Sequence, residues 1–381
     1  MLKVFLDNKP LYYDKIDYAR MPRVYESVKS YFKTPKIIHI IGTNGKGTTG
    51  RFLATALHSL GFAVGHYTSP HILNFNERIW LNGSNASDEA LNEAHEELLN
   101  VLVKDDSDSL SYFEYTTFLA MWIYKDVDYV VCEAGLGGEH DATSAFNNAL
   151  TLVTPIDMDH QAFLGDSVAK IATTKLKAVQ KFALLSAQTH EEVYDVASEV
   201  LNAKGLSWKK DTSLINADDE DKILTISQKL SLAPYLQNNL RLAIAALKQM
   251  GLEYCSDDFA NSKLFGRLSR LAPNVILDVG HNPLAAKAIL DALKGEKYVL
   301  VYNSYKDKNY KEILRILKPI IESVELIKIV DARAVEKEIL QETLKELGIV
   351  YSSFEKIDEE KKYLVFGSFS VAEAFLKVHH G

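Results

Sequence analysis

Cysteine is almost missing: Cys132 and Cys255 are the only two in 381 residues, too few for a disulfide framework or a zinc cluster, and a reducing compartment is expected. An excess of basic residues is missing too. The formal net charge is -8 and the pI is near 5.8, which removes any blanket attraction to nucleic acid or to an anionic membrane. A local basic pocket for a phosphate or carboxylate is compatible with that balance, and a small anionic substrate fits it. No apolar stretch reaches the roughly 18 residues that cross a bilayer. The opening MLKVFLDNKP lacks the apolar run, about 7–15 residues long, of a secretion signal, so a cytoplasmic protein is expected. Repeats and low-complexity tracts are also wanting, which excludes solenoids and disordered chains.

What the chain does have is apolar residues in bulk, 47% against 25% charged, enough for two cores. Short apolar runs at residues 36–41, 63–67, 129–133, 150–156 and 182–186 read as buried strands. Between the first two, residues 48–60 set Phe52, Leu53, Ala56 and Leu60 at helical spacing before Gly61. Residues 87–104 open with acids and carry Leu91, Ala94, Leu98 and Val101, the stripe of an amphipathic packing helix. Alternation of this kind predicts an α/β fold with a mostly parallel sheet. The periodicity lapses at residues 265–273, around Gly266 and Pro273. A second alternation follows, with strands expected at 275–278, 298–302, 324–330 and 363–366 and helical patterns at 310–321 and 334–347. Two domains are therefore expected, 1–268 and a smaller α/β domain, 269–381.

Between the first strand and the first helix stands Ile41-Gly42-Thr43-Asn44-Gly45-Lys46-Gly47-Thr48-Thr49. Glycines there let the backbone come close to phosphate oxygens, and the helix N-terminus points N–H groups at them. Lys46 would bring a point charge to the β and γ phosphates, and Thr48 or Thr49 a hydroxyl to Mg²⁺. The strict GxxxxGK[ST] pattern is broken, since Ile40 replaces its first glycine and Gly47 separates lysine from hydroxyl. A plain glycine-rich turn with a solvated lysine is the competing interpretation.

Further blocks follow in order: Tyr67-Thr68-Ser69-Pro70-His71-Ile72 with Glu77-Arg78-Ile79; Tyr112-Phe113-Glu114-Tyr115-Thr116-Thr117; and Glu133-Ala134-Gly135-Leu136-Gly137-Gly138 with Asp141-Ala142-Thr143. Then come Asp157-Met158-Asp159-His160 with Leu164-Gly165, Lys175, Asn239, Gly266-Arg267, Leu277-Asp278 with His281-Asn282-Pro283, and Asp307-Lys308. With GTNGKGT, this series resembles the folylpolyglutamate synthase branch of the Mur ligase superfamily, from about residue 42 to 310, with a weaker echo at Gly367-Ser368. The resemblance implies a nucleotide-binding domain joined to a smaller Rossmann-like glutamate-ligase domain. It implies ATP and Mg²⁺, with two metal ions and K⁺ within the family's range, and a monomer.

The implied chemistry is phosphorylation of a carboxylate by ATP, followed by attack of the L-glutamate amine on the acyl phosphate. Dihydropteroate, tetrahydrofolate or both would be the acid. Two anions must meet in the first step, so positive charge has to be concentrated there. By resemblance, Gly42, Thr43, Asn44, Gly45, Lys46, Gly47 and Thr48 hold phosphates; Asn239 serves the adenine; Arg267, Asp278 and His281 serve ribose and phosphates. Ser69, Glu133 and His160 are the implied metal ligands, joined by Lys175 if carbamylated, and Lys46, Lys175 and His160 the implied catalytic residues. Each ligand has a plainer interpretation: Ser69 as a turn residue, Glu133 as an exposed strand end, His160 as a helix cap. Phe75, Phe113, Thr116, Asp141 and Ala142 are implied for the folate side, where Tyr112 and Tyr115 add aromatic character shared with any core.

Among the departures from the family pattern, four stand out. Glu139 and Ser144 stand where GGRLDATN has arginine and asparagine, Thr174 replaces a glutamate before the lysine, and Lys177 replaces a glycine. All four bear on substrate preference or on the carbamate. Two other functions compete: a Mur-type ligase for another carboxylate, which would carry a UDP-binding domain before the phosphate loop, and a P-loop NTPase with no amino-acid acceptor. Phosphate release that requires both the acid and L-glutamate separates the expected ligase from the NTPase.

Overall fold

The computed structural model describes residues 1–10, 17–33 and 35–379. The chain divides into two compact units, 1–232 with 236–262, and 263–381 with the short segment 233–235. The expected boundary at 268/269 falls a few residues inside the second unit. There the backbone of Leu268 donates to the Asp278 carboxylate at 2.9 Å and Val279 N–H to Gly266 O at 3.0 Å.

Eight strands build the first unit's sheet: β1 Lys36–Ile41, β2 Val64–Tyr67, β3 Ile79–Leu81, β4 Ser84–Asn85, β5 Tyr129–Glu133, β6 Asn148–Val153, β7 Phe182–Leu185 and β8 Ser207–Lys210. Their order is β4-β3-β2-β5-β1-β6-β7-β8. From β2 to β8 every pairing is parallel, and β3 and β4 add an antiparallel edge. β1 lies at the centre with Ile38 opposite Val131 on one side and Leu150 on the other. Covered faces explain the unbroken apolar runs. Leu98 of the helix Asp88–Val101 and Phe118 of the helix Tyr112–Ile123 pack with Val130 and Cys132. Ile171 and Ala197 pack with Ile41, Val153 and Leu185 in a separate cluster.

The second unit holds β9 Ser269–Ala272, β10 Val275–Leu277, β11 Tyr298–Tyr302, β12 Ile321–Leu326, β13 Tyr351–Ser353 and β14 Tyr363–Phe366, ordered β13-β12-β11-β14-β10-β9. Only the β9–β10 pair is antiparallel. Leu300, Leu314, Val324 and Leu364 centre its core. Two expectations need correction here. The helix expected over 310–321 ends at Leu317, because Pro319 brings no N–H and permits only the 3₁₀ turn Lys318–Ile320. β12 therefore begins at Ile321 rather than at 324, and Val330, expected at its end, is 98% exposed. The lapse at 265–273 also conceals a strand, β9, whose short length hides its alternation. No helix among the described residues is long and apolar enough to cross a membrane.

Gly65 is a packing requirement rather than a hinge. A Cβ there would sit 2.4 Å from Cδ1 of the fully buried Tyr124 ring. Gly65→Ala is expected to cost about 1–3 kcal/mol by overpacking, read as a lowered urea midpoint. Combined with Tyr124→Ala, the loss should fall short of the sum; strict additivity in the double-mutant cycle would refute the clash.

Candidate active site

The loop that leaves β1 has no room for side chains at its two ends. At Gly42, with φ +138°, a Cβ would lie 2.1 Å from Thr154 Oγ1; at Gly45, with φ +89°, it would lie 2.4 Å from Asn239 Oδ1. The backbone is thus pressed against β6's exit and against the helix Pro234–Gln249, which brings Asn239 beside the loop. Thr43 and Asn44 donate their backbone N–H groups to Pro155 O at 2.9 and 3.3 Å, and Thr43 Oγ1 bonds the backbone of Asp157 at 3.1 Å. The helix Lys46–Ser59 starts at once. In its first turn, Thr48 is buried and its hydroxyl has no hydrogen-bond partner. An orphaned buried hydroxyl beside a helix N-terminus fits a phosphate-bound cation.

Lys46, 12% exposed, approaches Glu133 Oε1 at 3.7 Å and Thr43 O at 3.4 Å. Glu133 ends β5 and is 5% exposed, so the alternative of a solvated strand end fails. Its other oxygen accepts from the Thr68 hydroxyl and from Ser69 N–H at 3.2 Å. The strand ends β2 and β5 therefore meet the phosphate loop at one carboxylate. Thr68 was not singled out from the sequence; its one signal was adjacency to Ser69.

His160 adopts a left-handed conformation, φ 50°, at the start of the short helix Gln161–Leu164 and makes no capping bond with its side chain. Its Nε2 lies 3.9 Å from Asp159 Oδ2. Lys175, on the helix Val168–Leu176, is 2% exposed and donates to Leu136 O at 2.6 Å. Burial, and next the charge of Lys46, push its ammonium down to about 7, against the opposing pull of Asp141 and Asp159. Among the described residues no three His, Cys, Asp or Glu side chains cluster as a metal cage. A metal held here would share its shell with phosphate oxygens, which suits a site built on one carboxylate and hydroxyls.

The residues expected on the folate side divide into two kinds. Phe75 and Phe113 stay partly buried; Phe75 meets Tyr112 edge-on at 6.4 Å and Phe113 stacks near Tyr67 at 6.0 Å. Gly135 exists to admit Phe113, since a Cβ there would lie 2.7 Å from its Cζ. Thr116, by contrast, is fully buried, its hydroxyl 3.0 Å from Tyr67 Oη, and Tyr115 is a core residue bonded to His95 at 2.6 Å. Asp141 accepts from Gly137 N–H at 3.0 Å and from Thr143 Oγ1 at 2.6 Å, and Ala142 is 5% exposed.

In the second unit Asp278 is 4% exposed and accepts from Tyr235 Oη at 3.0 Å, Leu268 N–H at 2.9 Å and Gly280 N–H at 2.8 Å. Its two oxygens fix the turn that leads to His281, whose Nδ1 lies 3.2 Å from Val279 O. Arg267 lies over the Phe369 ring at 5.6 Å.

A glycine loop between a central parallel strand and a helix, with a buried lysine–carboxylate pair at its mouth, defines a nucleotide-binding α/β enzyme. No protein-family model matches the chain. The dihydrofolate synthase/folylpolyglutamate synthase of Escherichia coli (strain K12) is 32% identical over 306 residues, 76% of this chain and 72% of that protein. The Haemophilus influenzae protein of the same name is 29% identical, with 94% of this chain and 92% of its own covered. Among solved structures, Helicobacter pylori folylpolyglutamate synthetase superposes with a TM-score of 0.80 at 38% identity, over 99% of this chain and 97% of that one. E. coli FolC in complex with DHPP and ADP gives 0.82 at 26%, over 98% and 96%. The chain belongs to the folylpolyglutamate synthase/dihydrofolate synthase family and is an ATP-dependent ligase.

The depressed Lys175 ammonium has a stability consequence. In the folded chain it loses its proton near pH 7, in the unfolded chain near 10.5. Between those values the unfolded state binds the extra proton, so this residue's contribution to stability rises with pH across that window. Lys175→Met, in carbonate-free buffer, should exceed the native chain's stability below pH 7 and lose that margin by about pH 10.5. A margin independent of pH would exclude the neutral amine.

Proposed function

We propose that the chain joins L-glutamate to the carboxylate of a pteroate-type acid at the expense of ATP, with dihydropteroate and tetrahydrofolate both accepted. The observation that carries this reading is the convergence of Lys46, Glu133, Thr68 and Ser69 at the phosphate loop, in a chain related to proteins of that name. The solved E. coli relative binds ADP and DHPP, which supports a nucleotide and a pterin-type ligand here.

In the proposed reaction the acid's carboxylate oxygen forms a bond to the γ-phosphorus as the bond to the β-phosphate bridge breaks. Lys46 offsets the charge of the two anions as they close. Within residues 42–48 the backbone N–H groups from Gly45 to Thr48 would meet the phosphates, since Thr43 and Asn44 give theirs to Pro155 O; Asn239 is assigned to the adenine, and Arg267, Asp278 and His281 to ribose and phosphates. The glutamate amine then attacks the acyl carbon, the C–N bond forms, and the C–O bond to phosphate breaks.

Ser69, Glu133 and His160 would hold Mg²⁺, which when bound supplies Lewis-acid stabilisation of the transferring phosphoryl group. A second Mg²⁺ would use Lys175 as a carbamate, and K⁺ is a further candidate cation. A neutral amine adds to CO₂ and sheds a proton, and a lysine pushed down to about 7 has that neutral form available at ordinary pH. Phe75 and Phe113 would face the pterin, with Thr116, Asp141 and Ala142 behind them as the shell that holds the pocket's shape. We assign the chain to the cytoplasm as a monomer acting on small molecules rather than on nucleic acid or membranes; the net charge of -8 supports the last two exclusions.

The deciding assay is ATP consumption with dihydropteroate or tetrahydrofolate, each with and without L-glutamate, using oxygen-labelled acid. Label passing into released phosphate is expected, and unlabelled phosphate would defeat the acyl phosphate. Lys46→Ala should lose about 10²-fold or more in kcat with unchanged far-UV dichroism; full activity would discard Lys46 from the chemistry. For Lys175, intact-mass measurement in bicarbonate should gain the mass of one CO₂, absent from Lys175→Met. An equal mass gain in the variant would assign the adduct elsewhere.

A further inference from the structure

The apolar run of β1 is interrupted by a single histidine. His39 is fully buried, opposite Cys132 of β5 and Thr151 of β6, and three residues before Gly42. A buried imidazole is costly at a position that an aliphatic side chain would fill well. Its Nε2 lies 2.8 Å from Thr143 Oγ1, which in turn lies 2.6 Å from Asp141 Oδ1. Asp141 Oδ2 takes the Gly137 N–H at 3.0 Å.

The direction of this chain of bonds follows from the groups themselves. A carboxylate only accepts, so Thr143 gives its hydroxyl proton to Asp141 and receives one from His39 Nε2–H. His39 Nδ1 is then the bare nitrogen, and it has no hydrogen-bond partner. Burial pushes the imidazole down to about 4, with the Asp141 charge opposing, so the neutral ring persists at ordinary pH. Beyond Asp141 the path continues. Gly137 has φ +74°, and a Cβ on it would come 3.2 Å from Lys175 Nζ, while Leu136 O accepts from that same nitrogen.

We propose that His39 is a positioning residue: through Thr143 it orients Asp141, and through Asp141 it holds the 135–141 loop on which Lys175 rests. One strand would thereby register both the phosphate loop at its end and the acid-side loop beside it. The identity of what that loop binds rests on the ligase reading above; the bond path itself does not.

The test compares His39→Leu, which removes the donor, with His39→Gln, which keeps an N–H near the Nε2 position. His39→Leu should raise KM for dihydropteroate about tenfold with KM for ATP unchanged, and His39→Gln should restore most of it. Equal defects in the two variants, or parallel rises in both KM values, would mark generic core damage and overturn the proposal. A native chain with no acid-dependent turnover would instead defeat the ligase reading. Amide exchange at Gly137 and Thr143 then decides: faster in Leu than in Gln upholds the path, and no difference ends it. Should His39→Leu fail to fold, Thr143→Val against Thr143→Ser repeats the comparison with the hydroxyl removed or kept.

Discussion

A carboxylate with almost no contact with water is stable only when its oxygens are engaged, and Glu133 meets that condition with donors from two other segments. Thr68 and Ser69 reach it from the end of β2, and Lys46 from the first turn of the phosphate-loop helix. Removing one partner would leave a buried charge poorly compensated, which is far more costly than losing a surface ion pair. The geometry of β1, β2 and β5 is thereby tied to a single polar node. The node also reaches beyond itself: burial first, and then the charge of the lysine it holds, depress the neighbouring Lys175.

Close backbone approach is the second constraint, and it operates through absent side chains. Gly42 and Gly45 are pinned by Thr154 and Asn239, so the loop's curvature is set by its neighbours as much as by its own torsions. The consequence is a phosphate loop that tolerates a shortened spacing. Ile40 can stand where the strict motif has glycine because that position belongs to the buried strand and is fully covered.

Buried strands were readable where the apolar run is uninterrupted and bounded by a glycine or polar turn, as at Tyr129–Glu133, Tyr298–Tyr302 and Tyr363–Phe366. Reading failed at Ile321–Leu326, where helix and strand patterns overlap and one proline decides between them. It missed Ser207–Lys210, an edge strand with two exposed lysines and no apolar alternation to detect. For the site, order along the chain was enough to nominate residues, because loops after parallel strands meet at one edge of a sheet. Their electrostatic state was not readable. The burial of Glu133 and the depression of Lys175 arise from segments far apart in sequence, and so does the role of Thr68.

The four departures from the family pattern show how a loop can change its charge and keep its core. Glu139 lies 3.6 Å from Lys177 and is about half exposed, as is its partner, so the pair contributes about 0–1 kcal/mol. Ser144 donates its hydroxyl to Gly138 O at 2.9 Å, and Thr174 O accepts the Glu139 N–H at 3.2 Å. Glu139 and Ser144 thus lie on the loop, while Thr174 and Lys177 belong to the neighbouring helix Val168–Leu176 and its C-cap. The loop's inner edge, Asp141 with Gly137 and Thr143, is held by bonds that none of the four supplies. The rim can therefore change its charge without disturbing the buried side, where a substitution must answer to Asp141, Gly137 and Thr143 together.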